Sequence, residues 1–176
     1  MQLELAELVT REQTEAISSG ALDLGLARPP FDPETVGSFR LVAEDLMLAV
    51  PSDHELASRK GPVTEADVHE LGLIMHSPRT ARYFYDLTVR LFPVDHQRVV
   101  YTVGQITTMV ALVRAKRGVA LVPESARFLG VDGVTLVPLG ERAAGVVELH
   151  AIWNRHSANP ALHRAIEAIS AGTTTD

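Results

Sequence analysis

Short apolar runs alternate with amphipathic stretches along this chain, and the spacing inside each decides what it predicts. Leu3-Glu4-Leu5-Ala6-Glu7-Leu8 alternates with period two, the mark of a half-buried strand. Thr10-Arg11-Glu12-Gln13 fits a capping box, so a helix is predicted from Thr10 to about Ser19, with Gly20 as its left-handed stop. Ala21–Ala27 predicts the next strand, which Pro29-Pro30 ends. Phe39–Ala43 and Leu46–Val50 are further strand-length runs, the second followed by the turn Pro51-Ser52-Asp53-His54. Thr64 is expected to cap a short helix after the break at Lys60-Gly61-Pro62.

The second half continues the alternation. Leu73-Ile74-Met75 predicts a short strand ending in His76-Ser77-Pro78, and a helix follows over 79–92 with Tyr83, Leu87 and Leu91 on one stripe. Val99–Val103 predicts a strand, and 105–117 a helix with Ile106, Met109, Val110 and Val113 inward, stopped by Gly118. Val119–Pro123 has the pattern of a fully buried strand, Glu124–Leu129 of a short helix, and Val134–Val137 and Val147–Trp153 of strands. Asn159-Pro160 opens a last helix from Ala161 to about Ser170. Strands and helices taking turns in this way predict an α/β layered fold.

Composition narrows the function classes. The chain has 176 residues, 46% hydrophobic and 22% charged, with a mean hydropathy of +0.10, which suits a globular protein and excludes wholesale disorder. Sixteen Lys+Arg against 22 Asp+Glu leave a net charge of −6 with no basic block, a poor match to a phosphate backbone. Cysteine is absent, which removes disulfides, thiol nucleophiles and iron–sulfur ligation together. No apolar run reaches the ~18 residues that span a bilayer, and no charged-then-apolar leader opens the chain. A cytoplasmic protein without membrane contact is the expectation.

Catalytic and cofactor motifs do not appear. Ser125 lies in Val122-Pro123-Glu124-Ser125-Ala126, which is not a nucleophile elbow, and His69-Glu70 lacks the second histidine of a zinc-protease helix. His54, His69, His76 and His96 have no metal-ligand spacing, and neither a dinucleotide fingerprint nor a P-loop is present. Neither catalysis, a cofactor nor a metal site is expected.

What remains is a pattern at helix starts. Thr10, Ser77-Pro78 and Gly104-Gln105 each precede or open a predicted helix at the carboxyl end of a predicted strand or loop. In open α/β sheets ligands sit beyond those strand ends, where the next helix offers unpaired N–H groups and the positive end of its dipole. Such a set suits a carboxylate. The same residues are also ordinary caps, and the pattern alone does not separate the two readings.

Three strings in order, Gly20-Ala21-Leu22-Asp23-Leu24-Gly25-Leu26, Leu48–Val50 with Pro51-Ser52-Asp53-His54-Glu55-Leu56, and Gly118-Val119-Ala120-Leu121-Val122-Pro123, resemble the effector-binding domain of LysR-type transcriptional regulators. Tyr101-Thr102-Val103-Gly104-Gln105-Ile106-Thr107-Thr108-Met109 resembles the branch that senses aromatic acids and their ring-cleavage products, and the similarity covers essentially residues 2–170. The resemblance implies a type 2 periplasmic-binding-protein-like fold: two Rossmann-like lobes joined by two crossing strands, with the effector between them. It places lobe I at 1–45 plus 124–176, lobe II at 46–123, and the crossing strands at Leu46–Val50 and Val119–Pro123. It implies a small carboxylate held by Thr10, Ser77, Gly104 and Gln105 against an apolar wall of Pro78, Phe84 and Ile106. Arg28, just after a strand, could pair with that anion or form a surface salt bridge. Partners implied are further copies of the chain, as dimer or tetramer, and DNA only through a helix-turn-helix domain absent from this sequence. An opening strand-and-helix unit of lobe I, roughly 30 residues by the usual size of such a unit, is absent as well. A free solute-binding protein of the same fold, and an enzyme built on it, are the competing readings.

Overall fold

The apolar runs assemble into two sheets. The computed structural model describes residues 3–61 and 63–173. In chain order the elements are α1 (Thr10–Ser19), β1 (Leu24–Ala27), β2 (Val36–Glu44), β3 (Leu46–Pro51), α2 (Glu65–His69), β4 (Leu73–His76), α3 (Arg82–Leu91), β5 (Val99–Val103), α4 (Ile106–Arg114), β6 (Val119–Pro123), β7 (Val134–Pro138), β8 (Val147–Asn154) and α5 (Pro160–Thr173). The chain divides into two compact units, one comprising the residues before Glu44 and after Val147, the other spanning Glu44–Val147.

The first unit is built on a sheet in the order β1-β8-β2, with β1 antiparallel to β8 in the register Leu24↔Trp153 to Ala27↔His150. Its core gathers Ile17 of α1, Ala27, Val36 and Ile152, with Leu22 and Phe31 packed on it. Gly20 ends α1 with φ 76°, and the N–H of Ala21 returns to the carbonyl of Ala16 at 2.8 Å, as a left-handed helix stop requires. Two expectations fail here. Leu3–Leu8 forms no strand, because no neighbour pairs with it; alternation earns burial only inside a sheet, and Leu3 and Leu5 are 72% and 87% exposed. Thr10 is not the cap of α1: Val9 holds that position, and Glu12 Oε2 accepts its N–H at 3.1 Å.

The second unit carries a five-stranded sheet in the order β5-β4-β6-β3-β7. β4 runs parallel to β5 and β6, whereas β3 runs antiparallel to β6 and β7. All residues of β6 are buried, which explains its unbroken apolar sequence Val119-Ala120-Leu121-Val122-Pro123. Side chains alternate between the two faces. Leu46, Leu48, Val50, Leu73, Met75, Val119 and Leu121 meet Phe84 and Leu87 of α3 on one face. Ala49, Ile74, Ala120 and Val122 meet Met109, Val110 and Val113 of α4 on the other. Each of the larger side chains among them contributes about 1.5–3 kcal/mol on full burial, so this two-faced layer is the main apolar core of the unit.

The expected lobe limits differ from these units. Leu46–Val50 and Val119–Pro123 were expected to cross between lobes, but β3 and β6 lie side by side in one sheet, with Leu46 opposite Pro123. Residues 124–147 were expected in lobe I, but β7 hydrogen-bonds to β3 from Met47↔Pro138 to Pro51↔Val134 and so belongs to the second unit. The chain passes between units at 43–44 and at 147–148 instead. Helix limits also contract. α3 starts at Arg82 rather than 79, and α4 stops at Arg114, where Lys116 adopts φ 58° and donates to Val113 O.

Candidate functional site

Parallel strands with helices thrown to opposite faces leave a crevice at their carboxyl ends. β4 and β5 are such a pair. The chain leaves β4 through the turn 77–81 into α3 on one face, and leaves β5 through Gly104-Gln105 into α4 on the other. The strand ends stay joined, since the N–H of Ser77 donates to Val103 O at 2.8 Å.

The turn after β4 is organised by Ser77. Its Oγ accepts the N–H of Arg79 at 3.3 Å and of Thr80 at 3.2 Å, and its carbonyl accepts the N–H of Ala81 at 2.9 Å. A hydroxyl has two acceptor positions and one proton. Both acceptor positions are occupied, so the Ser77 proton is the one polar feature left to give to a ligand oxygen. Ser77 therefore organises the turn and is a candidate contact at once.

Both helices open without a side-chain cap. Ala81 precedes α3 and has no hydroxyl or carboxylate to offer; Gln105 precedes α4 and its side chain makes no capping bond. The first N–H groups of a helix lack intrahelical partners, so the start of α4 sets amide donors at the end of β5, beside the turn after β4. Gly104 fits between them for a steric reason: a Cβ there would stand 2.4 Å from Thr80 Oγ1. Ile106 is half-buried and touches the clusters on both faces of the sheet, placing it at the lip where they meet. Pro78 and Gln105 are exposed. Phe84 is 7% exposed and stacked on His76 at 4.8 Å, so its ring is spent on core packing beneath the turn.

Thr10 lies in the first unit, where its Oγ1 accepts the N–H of Arg28 at 3.3 Å. As at Ser77, the hydroxyl proton remains to be given away. The Arg28 guanidinium donates to Glu148 O at 2.7 Å, a bond to backbone that joins β8 to the end of β1. Glu148 itself is held below the usual carboxylate range by the His150 ring at 3.0 Å and by Arg40 at 3.2 Å.

Sequence reasoning missed two residues. Arg79 is exposed within the turn and makes no ion pair among the described residues, so it is a cation standing at a crevice suited to an anion. His76 is 1% exposed, and burial pushes its imidazole down to about 4, leaving it neutral. A histidine closing the wholly buried run Leu73-Ile74-Met75 was the available signal. Among the described residues no group of three or more His, Asp or Glu side chains could hold a metal ion, and no helix is long and apolar enough to cross a membrane.

Comparison with known proteins bears on this site. Residues 1–173 match the family model described as LysR substrate binding domain. The HTH-type transcriptional regulator YnfL of Escherichia coli K12 is 32% identical over 158 residues, covering 89% of this chain and 52% of that protein. IlvR of Caulobacter vibrioides, another HTH-type transcriptional regulator, is 29% identical over 175 residues, covering 97% of this chain and 57% of that protein. The chain thus spans about half the length of the curated relatives it matches. Among solved structures, the BenM effector-binding domain with its effector benzoate superposes with a TM-score of 0.80 at 24% identity, covering 98% of this chain and 81% of that one. The type 2 periplasmic-binding-protein-like α/β fold expected from the sequence is the fold present.

Proposed function

We propose, because the chain belongs to the LysR substrate binding domain family, that it senses a small carboxylate and passes the signal to a transcription-regulating assembly. The observation that carries the reading is the crevice of the second unit: the uncapped start of α4, the unspent proton of Ser77, and the cation of Arg79, which makes no ion pair among the described residues. Each helix-terminal contact with an anion is worth about 0.3–1 kcal/mol when exposed and up to about 2 when partly buried. Several together, with the apolar edge at Pro78 and Ile106, support affinity on the order of micromolar. Ser77, Gly104, Gln105 and Ile106 are the contacts we assign in the second unit, with Pro78 alongside and Phe84 below; Thr10 is a separate candidate contact in the first unit.

An aromatic acid or ring-cleavage product is the ligand class we favour, and benzoate, named as the effector of BenM, is the probe to begin with. In this reading the ligand stabilises one arrangement of the protein at the expense of another, and so shifts populations in an oligomer of such chains. DNA is contacted by a part of the regulator outside this sequence, in the cytoplasm, and no catalytic step is involved. The test is a benzoate titration by calorimetry and thermal shift on the parent, Thr10→Ala and Ser77→Ala. Loss of stabilisation in Ser77→Ala supports the assignment; equal stabilisation of all three proteins overturns it.

A further inference from the structure

β4 and β6 part company earlier than their lengths require. The parallel ladder between them contains Leu73↔Val119 and Ile74↔Ala120 and then stops, while β4 stays paired with β5 as far as His76↔Val103. The next carbonyl of β6, that of Leu121, would be stranded in a wholly buried strand. It is met instead by a side chain: His76 Nε2 lies 2.7 Å from Leu121 O. A carbonyl only accepts, so Nε2 carries the proton and donates, and Nδ1 is the bare nitrogen of the neutral ring. Nδ1 is buried without a hydrogen-bond partner among the described residues. The same ring lies flat against Phe84, in the first turn of α3, with 19° between planes. One imidazole thus touches β6, closes β4 and supports α3, immediately before the turn that Ser77 organises.

We propose that His76 is a positioning residue of the crevice: inserted between the diverging β4 and β6, its ring sets the separation of the strand ends and the pitch at which the 77–81 turn enters α3. The role rests on the reading of that turn as the effector site only for its purpose, because the positioning itself is visible without any ligand. An apolar residue of similar size would fill the core but leave Leu121 O unmet, an omission that a buried backbone group does not tolerate without local rearrangement. Glutamine carries an amide nitrogen the same number of bonds from Cβ and can restore the bond, though not the ring stack.

Nitrogen-15 spectra of the imidazole and amide hydrogen exchange, on the whole chain without ligand, decide it. In the parent the expected form is the Nε2–H tautomer; finding Nδ1–H overturns the proposal outright. In His76→Phe the amides of Ala81 and Tyr85, which donate to Ser77 O and Ala81 O, are expected to lose at least about tenfold in protection while those of α4 hold. His76→Gln is expected to return them to within about threefold of the parent. A uniform loss across the unit in His76→Phe, or no loss at Ala81 and Tyr85, means the ring is only core filling and sinks the idea. Where His76→Phe fails to fold, the tautomer and the His76→Gln comparison carry the decision. A parent that binds no benzoate but passes these measurements removes the site reading and leaves the positioning role standing.

Discussion

Gly104 and Thr80 meet across the crevice with no room for a methyl group: a Cβ on the glycine would lie 2.4 Å from Thr80 Oγ1 and 3.3 Å from Thr80 Cβ. The end of β5 and the turn after β4 are therefore fitted to one another. Thr80 is exposed and can rotate, so Gly104→Ala is expected to cost under about 1 kcal/mol of stability, at the mild end of overpacking. Benzoate affinity is expected to fall several-fold, since the turn must give way. Removing the obstructing hydroxyl in Gly104→Ala/Thr80→Ala should recover most of it, and a double-mutant cycle by calorimetry reads the coupling.

A second tight glycine tests the other unit. A Cβ at Gly37 would stand 2.6 Å from the Trp153 ring, and Gly37 is buried. The indole is large and cannot swing aside as a threonine can. Gly37→Ala is expected to destabilise by about 1–3 kcal/mol, seen as a lower denaturation midpoint, with benzoate affinity at the second unit unchanged.

Stability should decline on mild acidification for an identifiable reason. Burial keeps His76 neutral in the folded protein down to about pH 4, against 6.5 for the free side chain. Unfolding therefore takes up a proton between those values. The histidine costs nothing above pH 6.5 and costs progressively more as the pH falls to 4, reaching about 3 kcal/mol. Urea denaturation from pH 8 to 4 checks this, and His76→Phe should flatten the curve in that interval. Glu148, whose carboxyl is held low by His150 and Arg40, acts in the same direction, though only as the solution nears its unfolded value.

Lys116 offers an improvement. It is a non-glycine residue at positive φ, 58°, at the end of α4, and its side chain reaches an exposed partner in Asp53. An exposed ion pair contributes little, whereas the left-handed conformation suits glycine. Lys116→Gly is expected to be neutral or stabilising by up to about 1 kcal/mol, read as an equal or higher melting temperature.

Arg79 should act at a distance. Its charge stands in the turn without an ion pair among the described residues. Arg79→Ala is expected to weaken benzoate binding several-fold in dilute buffer and much less near 1 M salt, where the screening length is about 3 Å. A salt-independent loss would mean a contact rather than a field.

The sequence carried the β4-α3-β5-α4-β6 succession because β4 and β6 are buried on both faces, β5 is a run of strand-favouring residues at the sheet edge, and each helix keeps its own stripe; Met109, Val110 and Val113 fall where their spacing put them. Leu3–Leu8 misled because alternation describes a strand's preference and says nothing of whether a neighbour exists. The expected lobe limits differ from the compact units because the passage at 43–44 and 147–148 lies inside continuous β2 and β8, where no turn or glycine marks it. Ser77 was legible as a helix-start residue; that its two acceptor positions serve Arg79 and Thr80 was not, since that depends on how the turn folds back. His76 was passed over because its partner, Leu121, lies 45 residues away.

Gln13 spends one amide nitrogen on two carbonyls, Leu8 O at 2.8 Å and Leu26 O at 3.0 Å, stitching an unpaired segment to β1. The rim of that small sheet is thus already occupied by a side chain at Leu26. Any peptide seeking to lengthen the sheet there would first have to evict a glutamine and repay both of its bonds, so this border is guarded against casual strand addition although no strand among the described residues covers it.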